Sequence, residues 1–437
     1  MIVSVFGCGY LGAVHAAAMA DLGHTVIGVD IDESKIEALS AGAATFFEPG
    51  LPDLLKSGIE HGRLVFTTDI REAADADVHF IAVGTPQTPG SYAADLSYVR
   101  AALTAIAGIA KPGSLIVGKS TVPVGTAAEL VEMLADRAPD VSLAWNPEFL
   151  REGFAVKDTL EPDRLVYGVV AGDRGVRDAA ALDAVYADAL AAGTPRIITD
   201  LATAELVKVS ANAFLATKIS FINAVSEIAE VAGADITALA DAIGHDARIG
   251  RKFLNAGVGF GGGCLPKDIR AFTARAEELG RGSSLAFLHE VDVINQRQRQ
   301  RVVEHAVRLL GGSVNDRRIA ILGVSFKPNS DDVRDSPALD VAVQLKGLGA
   351  HVIATDPEGI ENARRRHPQL TYAPSVNDAL VDADLVVLVT EWDEYRNLDP
   401  VETLKITRMN NIIDARNVLD PANWREKGWT YVGIGRP

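Results

Sequence analysis

Ile2-Val-Ser-Val-Phe6, Gly7-Cys-Gly9-Tyr-Leu-Gly12, an alanine-rich run from Ala13 to Leu22, and Gly23-His-Thr-Val-Ile-Gly-Val-Asp30 follow one another at the start of the chain. They predict a strand, a tight turn, a helix and a second strand closing on an acid, the full context that a G-x-G-x-x-G dinucleotide fingerprint needs. Gly7 permits the turn, Gly9 lets a pyrophosphate approach the helix N-terminus, and Gly12 lets helix and strand pack closely. Asp30 is placed to accept from ribose hydroxyls and to repel a 2′-phosphate, so the expected cofactor is NAD rather than NADP. Lys35, one turn into the next helix, reaches either the pyrophosphate or solvent.

Outward from this unit, Asp77 to Val83 reads as another buried parallel strand, turning at Gly84-Thr-Pro-Gln87, and Ser114 to Gly125 repeats the arrangement through Ser120-Thr-Val122. In doubly wound sheets ligands sit beyond the carboxyl ends of the strands, which is where both turns fall. Ala144-Trp-Asn-Pro-Glu148-Phe-Leu-Arg-Glu152-Gly carries two glutamates four residues apart; a helix starting at Pro147 would put both on one face. Lys157 to Arg164 reads as a polar loop. Leu201 to Ala232 holds no proline and no glycine, and its apolar spacing predicts one helix of roughly 45 Å. A helix so long and apolar needs burial along most of its faces, so it is expected to join two domains and to pack against a partner subunit. Lys208 and Asn212 lie one turn apart on it.

The second half echoes the first. Arg317 to Gly323 is again strand then glycine, Ser336 to Leu348 a helix, Gly349 to Asp356 a strand closing on an acid, and Asp382 to Val389 a further strand. The fingerprint glycines are missing there; Val324-Ser-Phe326-Lys327 and Arg334 stand in their place. The expected fold is therefore α/β, two Rossmann-like doubly wound domains joined by a long central helix. Its regions are 1–200, a NAD-binding domain; 201–300, the long helix, the dimerisation region and a cysteine loop; and 301–437, a second Rossmann-like domain.

Composition narrows the partners. With 437 residues and a formal net charge of −16, nucleic acid is disfavoured, because such binding rests on Lys and Arg neutralising phosphates. Two cysteines and no clustered Cys/His ligands argue against structural zinc and a disulfide scaffold. No signal-peptide pattern and no apolar run of membrane-spanning length occurs, so a cytoplasmic protein is expected.

The chemistry is placed at Gly259-Phe-Gly-Gly-Gly-Cys264-Leu-Pro-Lys-Asp268. The glycines allow unusual backbone and close ligand approach, and Lys267 beside the thiol favours the nucleophilic thiolate. This loop resembles the catalytic loop of the nucleotide-sugar 6-dehydrogenases, the UDP-glucose and GDP-mannose dehydrogenase family, and the resemblance covers nearly the whole chain. It implies catalytic roles for Cys264, Lys208, Asn212, Asp268, Glu152 and Thr121. It further implies cofactor contacts at Gly7, Gly9, Tyr10, Leu11, Gly12, Asp30, Lys35, Gly84, Thr85, Pro86, Ser120, Thr121, Glu152, Lys267 and Arg334. Substrate contacts are implied at Glu148, Phe149, Leu150, Arg248, Phe253, Asn255, Gly257, Gly259, Phe260, Gly261, Phe326, Lys327 and Arg416, with Arg248 in some members reaching across a subunit interface.

The implied reaction is a four-electron oxidation of a sugar C6 alcohol to a carboxylate with two NAD, through a Cys264 thiohemiacetal and thioester, in a homodimer or higher oligomer that needs no metal. The clamp Phe253 to Phe260 and Lys218 to Asn223 look closer to the UDP-glucose enzymes, whereas Leu265 is familiar in the GDP-mannose branch. Two other classes fit parts of the pattern. A single-step NAD-dependent hydroxyacid dehydrogenase would need no thiol, and a redox-sensing binding protein would hold both nucleotides without turnover.

Overall fold

The computed structural model describes residues 1–437, which form two compact units: Met1–Ala211 with Ala274–Leu279, and Asn212–Thr273 with Gly280–Pro437. The first is built on eight strands, β1 (Ile2–Phe6), β2 (Thr25–Val29), β3 (Leu64–Thr67), β4 (Val78–Ile81), β5 (Leu115–Gly118), β6 (Ser142–Trp145), β7 (Leu165–Gly168) and β8 (Arg196–Thr199). Their spatial order is β3-β2-β1-β4-β5-β6-β7-β8, parallel except between β6 and β7. The first six strands thus have the doubly wound order, whose switch point lies between β1 and β4. Strands β4 and β5 are buried throughout, as expected where helices cover both faces of a parallel sheet. Inside it Ser4 Oγ lies 2.8 Å from His79 Nδ1, across β1 and β4.

The second unit repeats the design with β9 (Arg318–Leu322), β10 (His351–Thr355), β11 (Thr371–Tyr372), β12 (Leu385–Leu388), β13 (Asn411–Asp414) and β14 (Thr430–Gly433). The order β11-β10-β9-β12-β13-β14 is the same winding, and every neighbouring pair is parallel. Gly7 and Gly323, with φ of 91° and 102°, turn the chain out of the first strand of each sheet. Each donates its amide to the end of the second strand, at Val29 O and Thr355 O respectively, both 2.8 Å.

The stretch without proline or glycine forms one 32-residue helix, Leu201–Ala232, as predicted. No helix is long and apolar enough to cross a membrane.

The helix expected from Pro147 does not form. Residues 147–151 are irregular and the next helix is Ala155–Leu160, which overlaps the first half of the stretch Lys157 to Arg164 that reads in the sequence as a polar loop. The cause is competition for amides. Glu148 Oε1 takes the N–H groups of Phe149 and Leu150 at 2.6 and 2.8 Å, and Glu48 takes those of Gly153 and Ala155 at 2.6 and 2.7 Å. Arg151 N goes to Asp158 Oδ2 at 2.9 Å, so its amide and that of Gly153 are taken by carboxylates instead of the Pro147 and Phe149 carbonyls that a helix from Pro147 would need, and the chain stays out of helix.

Gly118, at the end of β5, shows how tightly the sheet is packed: a Cβ there would lie 2.1 Å from the Trp145 ring. Gly118→Val is expected to cost about 1–3 kcal/mol or more by overpacking, measurable as a lowered denaturation midpoint of the first unit.

Candidate active site

The fingerprint in the first unit has the geometry of a dinucleotide cradle. A Cβ on Gly12 would lie 1.8 Å from Gly7 O, whereas nothing stands within 4 Å of one on Gly9. Gly12 is therefore required for packing and Gly9 faces open space, the division of labour a bound pyrophosphate needs. Asp30 receives the Cys8 amide at 2.7 Å, and Lys35 Nζ lies 2.8 Å from its carboxylate, so in this structure Lys35 is a partner of Asp30. Tyr10 donates its hydroxyl to Glu48 and accepts from the Gly153 amide at 3.0 Å, which joins the fingerprint helix to the end of the Glu148–Glu152 segment. Burial, with the Glu48 carboxylate second, pushes the Tyr10 hydroxyl far up in pKa.

Beneath that segment lies a closed polar network. Lys119, immediately after β5 and 4% exposed, reaches Asn146 Oδ1 at 3.0 Å, the Tyr186 hydroxyl at 3.2 Å and Glu148 Oε2 at 3.1 Å. Tyr186 also donates to Asn146 Oδ1, at 2.7 Å, and Asn146 donates to Val166 O at 3.0 Å. Burial alone would push Lys119 down, but Glu148 and Tyr186 outweigh it and hold the ammonium above its ordinary range. Burial alone would likewise raise Glu148, yet Lys119, then Lys208, then backbone amides keep it below the carboxylate norm. Glu148 is thus a fixed anion between two lysines. Phe149 carries Arg164 over its ring at 3.8 Å and Lys208 Nζ at 5.5 Å. An open cleft with about 470 Å³ of empty space is lined by Lys119, Glu148, Phe149, Arg164 and Tyr186 among others.

The Thr121 loop leaves the same strand end. Thr85 Oγ1 donates to Thr121 O at 2.8 Å and Ser120 Oγ to Val83 O at 2.7 Å, so the Gly84-Thr85-Pro86 and Ser120-Thr121 turns predicted from the sequence lie against each other.

In the second unit Cys264 precedes the helix Leu265–Glu278 and is exposed. Its carbonyl accepts the first helical bond, from Asp268 N at 2.9 Å. Asp268, 2% exposed, takes Asn212 Nδ2 at 2.6 Å and Lys267 Nζ at 2.8 Å, so three sequence-predicted residues meet at one carboxylate. The glycines are needed by their neighbours. A Cβ on Gly259 would lie 2.4 Å from Asn295 Oδ1, one on Gly261 2.2 Å from Asp335 O, one on Gly262 2.7 Å from the Phe326 ring and one on Gly263 2.3 Å from the Arg334 guanidinium. Phe326 and Arg334 are thereby brought onto the cysteine loop. Lys327 stands over the Phe326 ring at 5.3 Å.

Arg416 acts as a strut, donating to Gly259 O at 2.9 Å, Phe326 O at 3.1 Å and Val389 O at 2.7 Å. Gly257 N is held by Asn223 Oδ1 at 2.8 Å, and Asn255 Oδ1 accepts from Arg251 at 2.7 Å. Phe253 has a left-handed φ of 65°. Arg248 stands apart: its side chain is 89% exposed and pairs with Asp246, two residues back.

Three family models match in chain order: the NAD binding domain of the UDP-glucose/GDP-mannose dehydrogenase family over residues 1–190, its central domain over 202–297, and its UDP binding domain over 320–421. The chain belongs to the UDP-glucose/GDP-mannose dehydrogenase family. It is 42% identical, over the full length of both chains, to a UDP-glucose 6-dehydrogenase of Rhizobium meliloti. It is 41% identical to UDP-glucose 6-dehydrogenase TuaD of Bacillus subtilis, covering all of this chain and 93% of that one. Among solved structures it superposes on a UDP-glucose dehydrogenase from Pyrobaculum islandicum with a TM-score of 0.89 at 38% identity, covering 100% of this chain and 98% of the other.

Membership in this family makes the chain an NAD-dependent dehydrogenase and gives the fingerprint its ligand; Gly9, the open space above it and the Asp30 carboxylate fit NAD. The sequence reading missed several residues that hold this machinery. Lys119, Asn146 and Tyr186 fasten Glu148, Glu48 fastens Gly153 and Ala155, and Asn295 fastens Phe260 through bonds of 2.8 and 2.9 Å. One signal was present: a lysine directly behind the apolar run Leu115-Ile-Val-Gly118 must find a buried counter-charge.

Replacing Lys119 by Met strands the Glu148 charge and is expected to cost about 3–5 kcal/mol. Glu148→Gln in the same chain should recover much of that loss, a coupling that a double-mutant cycle of denaturation midpoints measures.

Proposed function

We propose that this chain oxidises UDP-glucose at C6 to UDP-glucuronate in two NAD-dependent steps, with Cys264 holding the intermediate between them. The observation that carries this reading is the cysteine at the start of a helix, in a glycine loop packed on Phe326, one turn from an Asp268 carboxylate gripped by Asn212 and Lys267. The full-length relatives that bear the name UDP-glucose 6-dehydrogenase support the choice of sugar. In the proposed division, 1–200 serves the cofactor, 201–300 the covalent chemistry and subunit pairing, and 301–437 the nucleotide sugar, through Phe326, Lys327 and Arg416. A reduced thiol and NAD suit the cytoplasm.

NAD, when bound, accepts a hydride at each oxidation, and the four electrons between alcohol and carboxylate take two NAD. In the first step Thr121, Glu152 and Asp268 hold a water that takes the alcohol proton as hydride leaves C6. The Cys264 thiolate, at the positive end of its helix dipole, then adds to the aldehyde carbon. Lys208 and Asn212, one turn apart on the long helix, donate to the oxygen that gains charge. Loss of the second hydride leaves a thioester. Water positioned by Asp268 attacks its carbonyl carbon, the C–S bond breaks, and acid and thiolate are released.

Purified protein with NAD and UDP-glucose is expected to form two NADH per sugar consumed. Two NADH per GDP-mannose would keep the mechanism and move the substrate, while one per sugar would remove the covalent step. Cys264→Ser should stop before free acid forms; normal acid production by that variant sinks the thioester.

The long helix supplies the proposed dimer interface. Phe214, Phe221 and Ile228 recur every seven residues and are 66, 53 and 68% exposed, a stripe that a second copy can cover with its own. Ile228→Glu is expected to lower the mass seen by light scattering from dimer toward monomer, and an unchanged mass would place the interface elsewhere.

A further inference from the structure

The mechanism leaves several buried ionisable groups without a task, among them one close in sequence to a residue it does use. Glu205, 2% exposed, sits on the long helix three residues before Lys208. Its carboxylate takes the Gly125 amide at 2.8 Å and the Ala127 amide at 2.7 Å. These amides close the segment Ser120-Thr-Val-Pro-Val-Gly125 and open the helix Thr126–Arg137. Gly125 has a φ of 98°, so the turn there has a backbone that few other residues would adopt. From the other side Arg275 donates through Nε to Val124 O at 2.9 Å. Thr85 holds the far end of the segment through Thr121 O.

We infer that Glu205 is a positioning residue: by clamping Gly125 and Ala127 it fixes Thr121 at a set distance from the turn of the long helix that carries Lys208. The inference rests on the reading that Thr121 borders the reacting atoms. Its physics is that of a short tether. Without Glu205 the Gly125 end would be held from outside only by the Arg275 bond to Val124 O, and a catalytic oxygen misplaced by an ångström loses much of its effect. The Glu205 carboxylate that receives both amides is itself 2% exposed, and a buried amide that loses its acceptor is costly.

The charge state of the clamp supplies a signature. Burial pushes the Glu205 carboxyl up to about 7, against the pull of the Ala127 and Gly125 amides and of Arg275, the one charged side chain facing it. Above that pH both oxygens accept. As pH falls through it, one oxygen gains a proton and faces an amide donor with a donor of its own, so the clamp loosens on the acid side.

The test compares the pH dependence of kcat for the wild type, Glu205→Gln, Glu205→Asp and Thr121→Ala with UDP-glucose and NAD. Glu205→Gln is expected to lower kcat about 10–100-fold, to leave both KM values within a few-fold, and to abolish the acid limb near pH 7. Glu205→Asp, which keeps the charge but shortens the reach, is expected to lower kcat and retain a limb. Wild-type kcat and an intact limb in Glu205→Gln would overturn the inference. Thr121→Ala separates the two readings. If it retains full kcat, the role of Thr121 is wrong; if it falls while Glu205→Gln does not, only the positioning role is. Should Glu205→Gln fail to fold, Arg275→Gln decides: losing that cation is expected to move the limb to higher pH, and an unmoved limb counts against Glu205.

Discussion

A parallel sheet leaves a row of backbone amides at the carboxyl ends of its strands, where ladder partners run out and ligands must bind. Buried donors there need acceptors, and this chain supplies them from carboxylates far away in sequence. Asp30 takes the amide of Cys8, Glu48 those of Gly153 and Ala155, Glu205 those of Gly125 and Ala127, and Glu148 those of its own neighbours. Each clamp grips a turn in or next to a segment that the sequence marks as a site candidate. The loops are therefore preorganised by charge-assisted bonds rather than by apolar packing, which a wet, polar site cannot provide.

The two halves show how one design takes different ligands. Asp356 stands at the end of β10 as Asp30 stands at the end of β2, and each takes an amide from the turn after the neighbouring strand, Val324 at 2.7 Å in one case and Cys8 at 2.7 Å in the other. Each also takes the amide two residues on, Asp32 N and Glu358 N, both at 3.1 Å, and the equivalence ends there. Asp356 further receives Ser325 N, Ser325 Oγ, Gly359 N and Trp392 Nε1 and is 4% exposed. With its lone pairs taken, it has no capacity for ribose hydroxyls. In the second sheet this acid is a structural knot, and Phe326 and Arg334, which follow the first strand there, lie against the glycines before Cys264.

What could be read from the sequence follows the range of the forces involved. The fingerprint, the paired windings and the long helix were legible because each is written in local pattern, glycines at fixed offsets, apolar runs and a stretch without breakers. Around Cys264 the order of glycines, thiol, lysine and aspartate was legible for the same reason. The helix expected from Pro147 failed because the Arg151 and Gly153 amides that would have closed its first turns go to Asp158 and to Glu48; Glu48 lies more than a hundred residues upstream of Gly153, and no window around Pro147 contains that competitor. Lys119, Asn295 and the bracing bonds of Arg416 were likewise beyond local reading: the partners of that guanidinium, three backbone carbonyls and the Glu391 carboxylate, are spread along the chain.

The glycines before Cys264 carry an evolutionary consequence. The Cβ of any replacement at Gly261 would meet the carbonyl of Asp335, which belongs to the backbone and has nowhere to go. At Gly262, whose φ of 84° already disfavours any side chain, it would also meet the Phe326 ring, so a change there needs a smaller residue at 326 and still carries backbone strain. At Gly263 it would meet only the tip of Arg334, which can swing aside. Drift along this loop is thus open at its last glycine, coupled to a distant partner at the one before, and closed at Gly261, so its history of substitution should be graded residue by residue rather than shared by the loop as a whole.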